Sequence, residues 1–155
     1  MDRETASRTD DHQALRLWLR LLTCSQLIER EVRARLQGRF DTTLPRFDLM
    51  SQLWRYPAGL KMNELSRHLM VTGGNITGIV DQLEKEGMVE RAAEPADRRA
   101  YRVRLTRAGR KSFGEMARAH EGWIVDSLAR LSRREQADIY RLLAKVKEAT
   151  LEAAP

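Results

Sequence analysis

Residues 61–111 read KMNELSRHLM VTGGNITGIV DQLEKEGMVE RAAEPADRRA YRVRLTRAGR K. The hydrophobic period changes within this stretch. Leu65 and Leu69 give a short helix over 64–70 its inward face, with Asn63 as its N-cap. Ile76, Ile79, Val80 and Leu83 stripe a second helix over 73–86, capped by Thr72 and stopped by Gly87. Met88-Val89-Glu90-Arg91 then reads as a short strand and Pro95-Ala96-Asp97 as a turn. From Tyr101 to Leu105 the alternation is strict: Tyr101, Val103 and Leu105 face one way, Arg102 and Arg104 the other. Two strands alone do not stand in water, so the hairpin must lean on the helices before it. Two helices with the spacing of a helix-turn-helix, followed by such a hairpin, predict a winged helix-turn-helix.

Charge sharpens the reading. The chain has 155 residues, 42% hydrophobic and 32% charged, with a formal net charge of +6. Arg98, Arg99, Arg102, Arg104, Arg107, Arg110 and Lys111 follow one another with no Asp or Glu between them. A one-signed run on an alternating strand is the footprint of a polyanion partner, and double-stranded DNA is the polyanion a helix-turn-helix serves.

Outward from this centre the chain is predicted to be α-rich. Leu15, Trp18, Leu19, Leu22, Ile28, Val32 and Leu36 place an apolar stripe on a long helix from His12 to about Gln37, with Gly38 as its stop. Leu17, Leu21 and Leu27 widen that stripe, as expected for a helix held between its own domain and a second subunit. Residues 1–11 are polar and read as a disordered leader. Pro45 opens a second helix through Phe47, Leu49, Met50, Leu53 and Trp54, ended before Pro57 and Gly59. Residues 60–62 can add a short strand. Thr106 caps a helix over about 107–130. Ser132 with Glu135 three residues on is a capping box for a last helix striped by Ile139, Leu142, Leu143 and Val146. The expected division is a leader (1–11), dimerisation helices (12–37 and 107–150) and a DNA-binding part (45–106), intertwined as one unit.

Thr72, Gly73, Gly74, Asn75 and Thr77 form the front of the recognition helix, the end that enters a major groove. The glycines let backbone N–H groups at the positive helix end approach a phosphate. Asn75 can pair bidentately with adenine, and Thr77 can meet a base edge or a thymine methyl. Arg98 and Arg99 at the hairpin tip reach for a minor groove, with Asp97 expected to hold the Arg99 guanidinium in an ion pair. Arg102 and Arg104 suit phosphates. Enzymatic readings fail: His12, His68 and His120 are scattered, with no carboxylate pair, nucleophile motif or phosphate loop beside them. One cysteine, Cys24, allows no internal disulfide and suits a reducing cytoplasm. No run of about 18 apolar residues exists to span a bilayer.

The elements LKMNELSRHLMV, Asn75-Ile76-Thr77 with VDQLEKEGMVER, and DRRAYRVRLTRAGR resemble the winged helix of the multiple antibiotic resistance regulator (MarR) family. Asp97 and Arg99 followed by Leu105-Thr106 and Gly109-Arg110 are the most specific part, and the likeness extends over about residues 12–150. It implies a homodimer on a palindromic operator, repressing genes until a small molecule binds between the dimerisation and DNA-binding parts. Where that family often has a basic residue this chain has Gly78, which shifts electrostatic grip to the wing. The implied pocket, lined by the first, second and fifth helices, takes Trp18, Leu22, Arg46, Met50, Trp54, His120 and Trp123. Aromatic walls with an arginine suit an aromatic carboxylate or its coenzyme A thioester. MARAHEGWI (116–124) is similar to the branch controlling aromatic-acid catabolism. No metal or cofactor is implied. Cys24 raises a thiol-sensing alternative, against its reading as a buried small hydrophobe. A non-sequence-specific architectural DNA binder is the other alternative.

Overall fold

The computed structural model describes residues 3–69 and 75–155, with side chains from residue 12 onward except that of Arg98. Six helices and a three-stranded antiparallel sheet appear among the described residues: α1 (Arg3–Phe40), α2 (Leu44–Arg55), β1 (Leu60–Lys61), α3 (Met62–His68), α4 (Ile76–Lys85), β2 (Val89–Glu94), β3 (Asp97–Leu105), α5 (Arg107–Ser127) and α6 (Arg133–Ala153). The mainly helical class with one small hairpin is as the periodicity predicts.

Helix ends depart from expectation where a side chain or a backbone angle outbids a simple stop signal. Helix α1 begins at Arg3, inside the segment read as a leader, since no Gly or Pro interrupts residues 3–37. It also passes through Gly38, the expected stop. Asp41 ends it instead, with φ 49°, a left-handed conformation that Asp tolerates. Asp41 N–H then donates to Gln37 O (3.2 Å) and Thr42 N–H to Leu36 O (3.4 Å), which satisfies carbonyls the helix leaves open. Helix α2 is capped by Thr43, whose hydroxyl accepts from Arg46 N–H at 3.4 Å, with Pro45 in its first turn. Helix α3 starts one residue before Asn63, and Lys61 holds its N-cap position. The Glu64 carboxylate reaches back to accept Lys61 N–H at 3.1 Å.

The sheet order is β1-β3-β2, with Leu60 opposite Val103 and Val89 opposite Leu105. The expected strand at residue 60 therefore forms, and it ties the hairpin base to the end of α2. The chain divides by its internal contacts into two compact units, Met1–His120 and Glu121–Pro155. In the first, Leu36, Leu49, Leu53, Leu65, Val80, Leu83 and Val103 are completely buried. Each such side chain contributes about 1.5–3 kcal/mol by leaving water. Val103 and Leu105 face this core while Arg104 stays outside, as the strand alternation predicts. In the second unit the Ser132 hydroxyl accepts Glu135 N–H (3.1 Å) and the Glu135 carboxylate accepts Ser132 N–H (2.9 Å). Helix α6 buries none of its side chains in this chain; Ile139, Leu142, Leu143, Val146 and Leu151 remain exposed. On α1, Leu15, Leu17, Trp18, Leu19 and Leu27 are exposed as well. Cys24 is exposed too, against its reading as a buried hydrophobe. No described helix is long and apolar enough to cross a membrane.

Candidate nucleic-acid interface

Thr72, Gly73 and Gly74 lie outside the described residues, and so does the expected Thr72 cap. What is described is the helix they lead into. Asn75, not Thr72, caps α4: its Oδ1 accepts Gly78 N–H at 3.1 Å. The side chain meant for adenine thus already uses one lone pair of Oδ1 for the cap, and keeps the other and its amide N–H groups to offer. Gly78 belongs to the same arrangement. A Cβ there would lie 3.0 Å from Asn75 Nδ2, so a side chain at 78 would crowd the cap. Thr77 is exposed.

The hairpin corrects a second expectation. Asp97 Oδ1 accepts the backbone N–H of Arg99 at 3.0 Å; it holds the turn, not the guanidinium. An aspartate two residues before an N–H is placed to close this local ring. The Arg99 side chain projects exposed from this braced turn. Arg102 and Arg104 are engaged within the sheet. Arg104 Nε donates to Glu90 Oε1 at 2.6 Å, directly across the ladder. Arg102 Nε donates to Glu94 Oε2 at 2.7 Å and its Nη1 to Gly59 O at 3.2 Å. The half-exposed Arg104–Glu90 pair is worth about 0–1 kcal/mol, so a phosphate can replace that carboxylate at little cost. Arg110, whose Cζ sits 4.6 Å from the Trp54 ring centroid, covers that ring.

Arg91 had no role assigned from sequence. Its Nη1 donates to Glu84 Oε1 at 2.6 Å and its Nη2 to Asp81, both on α4. Its Cζ lies 5.2 Å from the Tyr101 ring centroid. The hydrogen bond to Asp81, chiefly, raises its already high pKa. The signal was legible in principle: two acids three apart on a helix, with an arginine on the strand that follows.

The residues assigned to an effector pocket do not all converge. Met50 is core, and Trp18 is 54% exposed on α1, where Leu22 is half-buried. Arg46, cast as the carboxylate's partner, pairs instead with Glu86 at the C-cap of α4, and its buried Nε has no hydrogen-bond partner. Trp54 and His120 do share a neighbourhood, built on two rings that were not singled out. Phe47 packs against Phe113 (5.3 Å) and His120 (4.9 Å), and Trp54 packs against Phe113 (5.4 Å). Burial lowers the His120 pKa and favours its neutral form. Trp123 falls in the second unit, and its side chain is buried.

A helix-turn-helix core backed by a three-stranded sheet, with an arginine-tipped hairpin beyond it, defines a winged-helix protein of the transcription-regulator class. The chain belongs to the MarR family of transcriptional regulators, whose family model matches residues 42–101. It is 34% identical over 107 residues to the HTH-type transcriptional repressor Mb2911 of Mycobacterium bovis, covering 67% of this chain and 74% of that one. Two other curated relatives, 28% and 29% identical, are spanned over only 60% and 55% of their lengths. The crystal structure of a MarR family transcriptional regulator from Silicibacter pomeroyi superposes with a TM-score of 0.74 at 29% identity, covering 97% of this chain and 99% of that one. A mutant MarR from E. coli complexed with operator DNA gives 0.72 at 26% identity, covering 86% and 95%.

Proposed function

We propose that the chain is a homodimeric, sequence-specific DNA-binding repressor, released from a palindromic operator by a small organic effector. The observation that carries the reading is the Asp97-braced turn that presents Arg99 on the hairpin that follows α4. In this arrangement Thr72, Gly73, Gly74, Asn75 and Thr77 meet a major groove and Arg98 and Arg99 the adjoining minor groove. Arg102 and Arg104 exchange glutamates for phosphates. The similarity to a regulator solved on operator DNA and to a named repressor supports it. The bare apolar faces of α1 and α6 support a second copy as their cover. Half-sites would then lie about one helical turn apart.

The effector proposed is an aromatic carboxylate or its coenzyme A thioester, supported by the ring cluster of Phe47, Trp54, Phe113 and His120. The test is binding to its own promoter and to a random duplex at one fixed salt concentration, with and without aromatic acids and thioesters. A preference for the promoter of about a hundredfold or more is expected. Equal affinity for both would make the protein an architectural binder. A promoter complex insensitive to every such compound would remove the aromatic effector.

A further inference from the structure

Asp81 and Glu84 stand three residues apart on α4, so they share one face of that helix, and both are exposed. A single side chain, Arg91 of β2, takes both carboxylates, with Nη1 on Glu84 at 2.6 Å and Nη2 on Asp81. The ring of Tyr101 on β3 lies 5.2 Å from its Cζ. Arg91 is opposite Val103 in the sheet ladder, so the same residue belongs to the wing's backbone and to the outer face of the recognition helix. A planar guanidinium can bridge two carboxylates at once, whereas a lysine ammonium is a point charge on a flexible stem.

We propose that Arg91 is the positioning residue that sets the wing against the recognition helix, and with it the spacing between the two elements' groove contacts. The hairpin base is held by β1 and by the buried Val89, Val103 and Leu105. Arg91 fixes the next step outward, toward the bulge between Ala93 and Glu94. In the protein–DNA complex this makes wing register a property of an ion triad that touches no nucleotide. The proposal rests on the DNA-binding reading above.

Two measurements test it on the full chain. The first needs no DNA. Spin labels are attached through Lys85→Cys and Ala93→Cys, with Cys24→Ser, and their distance distribution is recorded. The second is a hydroxyl-radical footprint on the protein's own promoter. Arg91→Lys is expected to keep the fold, to broaden the distribution, and to lose the wing's protections while those of α4 persist, with affinity falling about tenfold. The triple variant Arg91→Ala, Asp81→Asn, Glu84→Gln leaves neither carboxylate unpaired and is expected to regain neither the narrow distribution nor the wing's protections. An unchanged distribution in both variants overturns the proposal. So does a triple variant with wild-type footprint, which would reduce Arg91 to charge neutralisation. If the wild-type protein binds no DNA, the functional reading fails, and the spin-label distances still decide whether Arg91 sets the wing.

Discussion

Gly109 sits so close to Met88 that a Cβ built on it would lie 1.9 Å from the Met88 carbonyl oxygen. Thr106 seals the same joint. Its hydroxyl donates to Gly87 O at 2.6 Å and accepts Gly109 N–H at 3.0 Å, while its own N–H donates to Met88 O at 3.0 Å. The start of α5 is therefore pressed on the turn between α4 and β2 with no side chain between them. Gly109→Ala is expected to cost about 2–3 kcal/mol, at the upper part of the overpacking range, because the obstacle is backbone. Urea unfolding measures it, and a variant with the wild-type midpoint would refute the joint.

Asn75 has two roles that substitution separates. Asn75→Ala removes the α4 cap and is expected to cost about 1 kcal/mol of stability together with DNA affinity. Asn75→Asp keeps an acceptor for Gly78 N–H and is expected to preserve the melting temperature while weakening DNA binding, because it sets a carboxylate near phosphates. Equal affinity for Asn75→Asp and wild type would mean that residue 75 faces no DNA.

Arg99→Ala should leave stability unchanged, since the turn is held through its backbone N–H. Binding to the promoter should fall by tenfold or more, from loss of a contact worth about 1–3 kcal/mol. An affinity within threefold of wild type would remove the wing from the grip. Asp97→Ala should also weaken binding, by loosening the turn, and hydrogen exchange at Arg99 N–H would register that directly.

Asp48 carries a pH dependence. Burial pushes its carboxyl up to about 6, with the nearby Arg33 guanidinium opposing and Glu29 adding. Its Oδ2 is buried without a partner. A carboxyl raised in the folded state binds its proton more tightly there than in the unfolded chain. Stability from this group is therefore full below about 4 and lost as pH rises through about 6. Asp48→Asn should match wild type at pH 3.5 and exceed it at pH 7.5 by about 1 kcal/mol, a figure discounted for the group's partial exposure. Thermal melts at the two pH values check it, and a constant difference would refute the assignment.

Local signals were legible where their cause is local. Ser132 and Glu135 announced the start of α6, and the alternation of Tyr101 to Leu105 announced the hairpin's buried face. At the front of α4, Asn75 has the chemistry of a cap as much as of a base reader, and its type alone does not say which. Gly38 looked like a stop because a glycine permits an end without requiring one. Partners far apart in sequence were not legible at all. Nothing near Arg46 indicates that Glu86, forty residues on, will take its charge, and so a residue assigned to an effector's carboxylate serves as an internal tie. The same holds for Phe47 and Phe113, which meet only once α2 and α5 are packed.

The wing's internal pairs also bear on how binding responds to ionic strength. A free arginine that meets a phosphate frees condensed counterions, and each such contact steepens the dependence of log affinity on log salt by about 0.9. Arg102 and Arg104 already hold Glu94 and Glu90. If they exchange these for phosphates, as proposed, each leaves behind a carboxylate that gathers cations of its own. Part of what the DNA releases would then be recaptured by the protein. The salt slope should therefore be shallower than the arginine count of the hairpin implies, and Glu90→Gln with Glu94→Gln should steepen it.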